Sequence, residues 1–297
     1  MTSRPTLLFI TNPISGNLHY NDLHNLIIES MRLYDADYDI VVSEYAGHAK
    51  HLAADAVADG FDIVVACGGD GTINEIGTQL IGTQTSLGII PYGSGNGLAH
   101  HVGIPINTRQ ALEYLKKGHP IAIDTVNINN TPFISIAGIG FDAKVAQDYS
   151  NDKGRGFHTY FKYMLQNYFT LPEQEFKITL GNDSFNIEAF FISLANSNEQ
   201  GYGIPISPKA SLRDGLVDVC IVRKPNAVEL PIIGSYMLAG NIDKAPKVNI
   251  IQTSHIIIER SHNEVVNIDG DPVMMDKKLE IKVAPLSLNI IANEKQA

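Results

Sequence analysis

Short apolar runs alternate with segments of helical periodicity over the first 120 residues. The apolar runs predict four strands, at 6–11, 38–43, 61–67 and 87–91. Segments between and after them, such as 48–59 and 108–117, place apolar side chains on one helix face, and each is followed by a glycine, a common helix terminator. Strands that alternate with helices are typical of parallel sheets with crossover helices. The pattern therefore predicts a three-layer α/β domain with a parallel sheet over 1–124.

After Asp124 the pattern changes to β-rich runs separated by turn residues. The runs lie at 132–138, 175–181, 185–195, 216–222, 247–251, 255–260, 264–268 and 279–284. Many short strands with frequent turns predict a β-sandwich as a second domain over 125–285. A helix near 157–169 repeats aromatic and apolar side chains at helical spacing, which predicts either core packing or a wall for an acyl chain.

Composition narrows the class of protein. The chain has 297 residues, of which 44% are hydrophobic and 18% charged, a balance typical of ordered globular proteins with two domains. A formal net charge of -10 argues against nucleic acid as a partner, because phosphate backbones require clustered Lys and Arg. No segment approaches the roughly 18 apolar residues that span a bilayer, and no signal-peptide pattern is visible, so we expect a cytoplasmic protein. Cys67 and Cys220 lie in apolar runs that predict core packing.

The segment Gly68-Gly69-Asp70-Gly71-Thr72 follows the third predicted strand and precedes a helix expected to begin near Thr72. Glycines let the backbone approach a ligand closely, and the N–H groups at a helix start can point at anionic oxygens. This combination predicts a phosphate cradle. A carboxylate beside phosphates requires a cation between them, so Asp70 predicts bound magnesium. The alternative is a tight turn with Asp70 as a helix N-cap.

Two other segments follow predicted strands in the same way. Gly93, Gly95 and Gly97 form a second glycine loop after 87–91, and Asn12-Pro13-Ile14-Ser15-Gly16 follows the first strand. The carboxyl ends of parallel strands lie at one edge of a sheet, where ligands of such folds bind. We therefore expect the three segments to converge there.

In this order the motifs resemble the catalytic domain of the diacylglycerol kinase family, which includes sphingosine and ceramide kinases and soluble bacterial relatives. The shared segments are NPISG at 12–16, SEYAGHA at 43–49, GGDGTINE at 68–75, PYGSGNGLAHHVGIP at 91–105, GIGFDA at 138–143, LRDGLVDV at 212–219 and IDGD at 268–271. The resemblance implies an ATP- and magnesium-dependent lipid kinase of phospholipid biosynthesis that acts at the inner face of the membrane through transient peripheral contact. It also implies a homodimer, and a first domain completed by 286–297.

The resemblance implies specific ligand-binding residues. For ATP they are Asn12, Pro13, Ile14, Ser15, Gly16, Ser43, Gly68, Gly69, Asp70, Gly71, Thr72, Ile73, Asn74, Gly93 and Ser94. For a structural magnesium ion they are the Asp214 carboxylate and the backbone oxygens of Ser211 and Leu216. Hard oxygen ligands of this kind suit magnesium.

Asp269-Gly270-Asp271 is the proposed location of the catalytic base. A hydroxyl that attacks phosphorus gains acidity, so a nearby carboxylate can accept its proton. The family usually has Asp-Gly-Glu here, and Asp271 therefore fills the position of the base with a side chain that is one methylene shorter. Asp269 is a second candidate for the same role. Alternatively, Asp-Gly is a common hairpin turn without any catalytic function.

Two other functions remain open from the sequence. NAD kinases share GGDGT but separate their Asn-Glu pair from it, whereas Asn74-Glu75 follow directly here. The aspartate at 271 also fits a nucleotide- or lipid-binding protein that has lost catalysis. Within the lipid kinases, the sequence leaves open whether the acceptor is diacylglycerol-like or a sphingoid base.

Overall fold

The computed structural model of the chain describes residues 4–13, 20–32, 34–93, 95–152, 154, 156–199 and 205–293. It divides into two compact units, Met1–Asp124 with Pro285–Ala297, and Thr125–Ala284. Within the described ranges, no helix is both long enough and apolar enough to cross a membrane.

The first unit alternates strands and helices. Its elements are β1 (Thr6–Thr11), α1 (Tyr20–Met31), β2 (Asp37–Val42), α2 (His48–Ala58), β3 (Ile63–Gly68), α3 (Asp70–Leu80), β4 (Ser86–Pro91), α4 (Gly97–His101) and α5 (Thr108–Lys117). The next strand, β5 (His119–Ile128), leads into the second unit. The four predicted strands are thus present, with ends displaced by no more than two residues, because each is an apolar run whose central side chains are buried or partly buried.

The parallel sheet of the first unit has the order β2-β1-β3-β4, and the last strand of the chain, β16 (Lys278–Ala292), pairs with β4 through Ile290 and Leu87. The chain moves from β1 to β2 on one side and then returns past β1 to β3 on the other. Because such crossovers are right-handed, α1 covers one face of the sheet and α2 and α3 cover the other. The side of the sheet on which successive strands are added therefore changes between β1 and β3. Ligands of open α/β sheets bind outside the carboxyl ends of the strands at such a point.

The second unit is built mainly from strands. Its elements are β6 (Thr131–Phe133), β7 (Ile136–Gly140), α6 (Phe141–Asn151), α7 (Phe157–Thr170), β8 (Gln174–Leu180), β9 (Asp183–Ala189), β10 (Phe191–Ala195), β11 (Val217–Val222), α8 (Glu229–Leu238), a 3-10 turn (Ile242–Lys244), β12 (Val248–Thr253), β13 (His255–Glu259), β14 (Glu264–Ile268) and β15 (Asp271–Met275).

Two sheets of the second unit enclose a common apolar core. One has the antiparallel order β12-β11-β10-β7-β14-β15, and the other contains β13, β8, β9 and the first residues of β16. Side chains from both sheets, such as Phe176 and Ile258 on one and Leu194 and Val219 on the other, are completely buried in one cluster. The predicted fold class, an α/β domain followed by a β-sandwich, is confirmed.

Two predicted runs are each divided into separate strands. The run at 185–195 becomes β9 and β10, which belong to different sheets, because the chain changes sheet at Phe190. The run at 132–138 likewise becomes β6 and β7. Continuous hydrophobicity predicts burial on both segments, but it does not reveal where the chain leaves one sheet for another.

The aromatic helix α7 is not a core helix. Phe161, Leu165 and Phe169 follow one another at four-residue spacing, and they are 41%, 43% and 77% exposed. Among its described side chains only Asn167 is buried. Core packing is therefore the wrong interpretation of its apolar pattern, and an exposed apolar face remains.

Candidate active site

The turn from β3 into α3 is too tight for side chains at its first position. The helix begins at Asp70, two residues earlier than predicted, and Gly69 precedes it in an extended conformation. A Cβ atom on Gly68 would lie 2.5 Å from both Cβ and Oγ1 of Thr72. Glycine is therefore required at position 68 by the protein itself, and the backbone N–H groups of the helix start face the carboxyl edge of the sheet.

Asp70 connects the two glycine loops. Its Oδ2 accepts the backbone N–H of Asn96 at 2.8 Å, and its Oδ1 accepts that of Gly97 at 2.9 Å. Burial raises the pKa of the Asp70 carboxyl, and the hydrogen bonds from Asn96 and Gly97 act in the opposite direction. Asp70 is thus the first helical residue and not the N-cap of the alternative interpretation. Each carboxylate oxygen has a second lone pair, so these bonds are compatible with magnesium binding.

The two glycine loops also approach each other through their backbones. A Cβ atom on Gly93 would lie 2.5 Å from the Cα atom of Gly69, so Gly93 must lack a side chain. Asn96 holds this loop in shape, because its Oδ1 accepts the N–H of Gly93 at 3.1 Å and its Nδ2 donates to the Gly93 carbonyl at 2.8 Å. Asn96 was not among the predicted site residues. Its positive φ of 56°, which asparagine tolerates better than most residues, is the local signal for it.

The segment after β1 lies against the same turn. The side chain of Asn12 donates to Thr72 Oγ1 at 3.0 Å, and its backbone N–H donates to the Cys67 carbonyl at 3.1 Å. Ser43, at the end of β2, is buried and donates its backbone N–H to Thr11. The structure therefore brings residues that follow β1, β2, β3 and β4 together at one edge. Ile14, Ser15, Gly16 and Ser94 lie outside the described residues.

Glu75 links the segment between β2 and α2 to helix α3. Its carboxylate accepts the backbone N–H of Gly47 at 3.0 Å, and Gly47 immediately precedes α2. The segment between β2 and α2 is thus fixed to α3, the helix that begins at Asp70. The Asn74-Glu75 pair is therefore part of the structure of this edge, although only Asn74 was a predicted site residue.

Asp269 and Gly270 form the two-residue loop of the hairpin between β14 and β15. Ile268 pairs with Asp271 across it, and φ is 48° at Asp269 and 100° at Gly270. Positive φ at both central positions is the requirement of the type I′ hairpin turn, for which Asp-Gly is a preferred sequence. The hairpin turn of the alternative interpretation is therefore present, and it places Asp271 at the start of β15.

The Asp269 carboxylate is held by three backbone N–H groups. It accepts from Ile134 at 2.7 Å, Ser135 at 2.9 Å and Ile136 at 2.8 Å. These bonds use three of the four lone-pair positions of a carboxylate. Asp269 thus anchors the turn, which disfavours it as the base, whereas Asp271 is exposed at the start of the strand.

The predicted magnesium ligands lie in a turn before β11. Asp214 Oδ1 accepts the backbone N–H of Leu216 at 3.0 Å, and Gly215 between them has a φ of 73°. Ser211 Oγ accepts the N–H of Arg213 at 3.2 Å. In the part of the chain that the structure describes, no three His, Cys, Asp or Glu side chains are placed to hold a metal together. The predicted set uses one carboxylate and two backbone carbonyls, and this donor chemistry fits magnesium.

Comparison with known proteins identifies both units. Residues 6–128 match the diacylglycerol kinase catalytic domain, and residues 135–292 match the YegS C-terminal NAD kinase beta sandwich-like domain. A Yersinia enterocolitica protein named "Probable lipid kinase YegS-like" is 29% identical over 290 residues, covering 94% of both chains. A diacylglycerol kinase from Staphylococcus saprophyticus is 28% identical over 270 residues, covering 88% of this chain and 87% of its own.

The fold also matches a solved structure. A diacylglycerol kinase from Bacillus anthracis superimposes with a TM-score of 0.75 over 100% of both chains, at 20% sequence identity. At this identity the superposition shows a shared fold. The second family model covers more than half of the chain, and the two models together account for both units. The chain therefore belongs to the diacylglycerol kinase family of lipid kinases, with a catalytic domain followed by a YegS-type β-sandwich domain.

Proposed function

We propose that the chain transfers the γ-phosphoryl group of ATP to the hydroxyl group of a lipid, with magnesium as the required cation. The observation that supports this most is the Asp70 carboxylate bound to the N–H groups of Asn96 and Gly97. It combines a glycine-rich helix start and a second glycine loop into one edge that can accept a phosphate chain.

The phosphates of ATP lie along the backbone of Gly68 to Asn74, where N–H groups and the positive end of the α3 dipole favour negative charge. Asn12, Pro13, Ser43, Gly93 and the undescribed Ile14, Ser15, Gly16 and Ser94 complete this site in our proposal. Asp70 would hold magnesium at this edge, and the ion would neutralise the repulsion between its carboxylate and the phosphates.

In the reaction, the oxygen of the lipid hydroxyl forms a bond to the γ-phosphorus while the bond from that phosphorus to the bridging oxygen of ADP breaks. Asp271 accepts the hydroxyl proton. Removal of this proton is typically worth about 10²- to 10⁴-fold in rate. Most of the remaining acceleration comes from positioning and charge neutralisation at the carboxyl edge of the parallel sheet, where the two glycine loops lie.

A second magnesium ion binds in the turn at 211–216 in this proposal. The Asp214 carboxylate and the carbonyl oxygens of Ser211 and Leu216 would hold it, and the ion would stabilise the turn before β11. The Asp-Gly-Leu turn, closed by the hydrogen bond that the Leu216 N–H donates to Asp214, supports this assignment.

The acceptor is a diacylglycerol-like lipid or a sphingoid base. The exposed apolar face of α7, formed by Phe161, Leu165 and Phe169, supports a lipid partner, because burying a chain contributes about 0.8 kcal/mol per methylene. The protein works at the cytoplasmic face of the membrane through transient contact, as a homodimer, in phospholipid synthesis.

NAD kinase is the second candidate function. The family description of the β-sandwich domain names NAD kinase, and the GGDGT segment occurs in both families. The proposed acceptor would then be the ribose hydroxyl of NAD. Asn74-Glu75, placed directly after GGDGT, favours the lipid kinase instead.

The test uses purified protein with γ-labelled ATP, magnesium and separate mixed-micelle preparations of diacylglycerol, sphingosine and ceramide, together with NAD. Labelled product should form with one lipid class and disappear when EDTA removes magnesium. Labelled NAD without a lipid product would support the second candidate. ATP binding without transfer to any acceptor would indicate a binding protein that has lost catalysis.

A further inference from the structure

Two buried polar side chains, Asp142 and Asn267, lie next to the turn that carries Asp271. Asn267 donates from Nδ2 to Asp142 Oδ2 at 2.8 Å. The Oδ1 atom of the same amide accepts the backbone N–H of Gly270 at 2.9 Å. Asp142 and Asn267 are only 5% and 7% exposed. One asparagine therefore connects a buried carboxylate to the residue that immediately precedes the proposed base.

The surrounding backbone is shaped to hold this pair. Asn267 on β14 pairs with Gly138 on β7, and a Cβ atom on Gly138 would lie 1.7 Å from Asp142 Oδ2. The absence of a side chain at 138 thus makes room for the carboxylate. Asp142 also lies in the first turn of α6, where the helix dipole favours a negative charge.

The turn is fixed from two sides. Asp269 is held by the N–H groups of Ile134, Ser135 and Ile136, and Gly270 is held by Asn267. Both residues before Asp271 consequently have a defined backbone position. A buried polar pair carries a desolvation cost, and an apolar pair would pack as well if only stability were at issue. An apolar pair could not accept the hydrogen bond from the Gly270 N–H, and so it would not hold the backbone next to Asp271.

We propose that Asp142 and Asn267 are positioning residues for Asp271: they fix the Gly270 backbone and thereby the direction from which the carboxylate meets the lipid hydroxyl. The inference rests on the proposed role of Asp271 as base. Its physical basis is that a displacement of about 1 Å in a reacting group can cost about 10²-fold in rate.

The first test compares Asn267→Ala with Asn263→Ala. Asn263 is a matched control, because its side chain also bridges a carboxylate and a backbone N–H, those of Asp276 and Lys277, near the other end of the same hairpin. With the acceptor that the wild type uses, Asn267→Ala should lower kcat by about 10- to 100-fold and leave KM for ATP unchanged. Asn263→Ala should leave kcat unchanged. Equal kcat values in the two folded variants would overturn the proposal.

The second test places Asn267→Ala in an Asp271→Ala background. A residue that acts through Asp271 should cause no further loss there, whereas a residue that acts independently should reduce the residual rate by the same factor as in the wild type. Additive losses would therefore refute positioning. Full activity of Asp271→Ala alone would instead refute the base itself, so the two failures can be told apart.

A polarity exchange keeps the proposal testable if Asn267→Ala does not fold. Asn267→Asp places two carboxylates against each other and should lower kcat. Adding Asp142→Asn restores a donor to face the new carboxylate, which can still accept the N–H of Gly270. The double variant should therefore recover most of the wild-type kcat. A double variant that folds but stays as slow as Asn267→Asp would contradict the proposal.

Discussion

The carboxylate of Asp70 accepts the backbone N–H of Gly97 at 2.9 Å, and so the first residue of α3 holds the first residue of α4. The same carboxylate also accepts the N–H of Asn96. The shape of the second glycine loop therefore depends on a residue of the first. Asp70 therefore fixes the second glycine loop before any ligand binds. Its remaining lone pairs can still bind a cation.

Replacing Asp70 with alanine should abolish ATP binding and lower stability. The change leaves the N–H groups of Asn96 and Gly97 without this acceptor, at a cost of about 1–3 kcal/mol for each buried group. Titration calorimetry with ATP and magnesium would measure affinity, and urea unfolding would measure stability.

Asp62→Ala is the matched control for this change. Asp62 also accepts two hydrogen bonds, from the backbone N–H of Thr6 at 2.8 Å and its hydroxyl at 3.0 Å, but these lie at the opposite end of β1. It should lower stability and leave ATP affinity intact. Equal ATP affinity in the two variants would show that the nucleotide does not bind at the edge of the sheet where Asp70 lies.

Gly71→Ala tests whether position 71 needs glycine for ATP binding or for stability. A Cβ atom at this position would have no atom within 4 Å, and Gly71 is exposed in the first turn of α3. Alanine should therefore leave stability unchanged or raise it by up to about 1 kcal/mol. The methyl group would occupy the space that phosphate needs, so ATP affinity should fall by at least about tenfold.

Gly234→Ala in α8, which also has open space around its Cβ position, is the control for Gly71→Ala. It should keep wild-type ATP affinity. Unchanged affinity in Gly71→Ala would argue against close approach of phosphate to this turn.

Asp271→Ala should lower turnover by about 10²- to 10⁴-fold, because no carboxylate then accepts the hydroxyl proton. ATP affinity should not change. Asp271→Glu should retain activity, since the family usually has the longer acid at this position. Asp276→Ala, which follows the same strand, is the control and should keep full turnover. Wild-type kcat in Asp271→Ala would remove Asp271 from the mechanism.

Sequence patterns predicted those parts of the fold that depend on local burial. The strand β1 has the predicted bounds, Thr6–Thr11, because apolar residues fill every position between its two threonines. The strand β15 was not predicted, since its sequence DPVMM begins with Asp and Pro, which disfavour strands. It lies at the edge of its sheet, where a proline is tolerated.

The candidate site could be predicted where a motif is local, as in Gly68 to Thr72. It could not be predicted where a function depends on a distant partner. Asn267 matters because of Asp142, which is 125 residues earlier in the chain, and Asn96 matters because of Asp70, which is 26 residues earlier. Periodicity records whether a position is buried, and it carries no information about which buried groups meet.

The two cysteine thiols should be inert in the folded protein. Cys67 and Cys220 are completely buried, as the apolar runs predicted, and burial raises the pKa of both thiols. The reactive thiolate is therefore scarce at pH 8, and access is blocked as well. Ellman's reagent should label neither cysteine in the native state and both in guanidinium chloride. Rapid labelling of the native protein would show that the strand ends at β3 or β11 open in solution.

Asp214→Ala tests the structural magnesium ion. Asp214 provides the one carboxylate in the proposed ligand set, so its removal should eliminate the stabilisation of the protein by magnesium measured without ATP. For the wild type, a ligand at 100 times its Kd stabilises by about 2.7 kcal/mol. Thermal unfolding with magnesium and with EDTA measures this difference. An unchanged magnesium response in the variant would place the ion elsewhere.

Asp152→Ala is a suitable control, because Asp152 closes the same kind of turn by accepting the N–H of Gly154 at 2.8 Å. The hydrogen bonds from Gly154, Tyr163 and Lys162 lower the pKa of the Asp152 carboxyl from 3.8 to about 2. A carboxyl with a lowered pKa stabilises the fold above its unfolded pKa, and this contribution is lost as the pH falls from 3.8 to about 2. Asp152→Ala should therefore be less stable than the wild type at pH 7, and the difference should shrink in acid.

The response of Asp152→Ala to magnesium should equal that of the wild type, since Asp152 lies outside the proposed ligand set. A magnesium response that is retained in both variants would mean that magnesium acts through general charge screening, and loss in Asp214→Ala alone would assign the ion to the turn before β11.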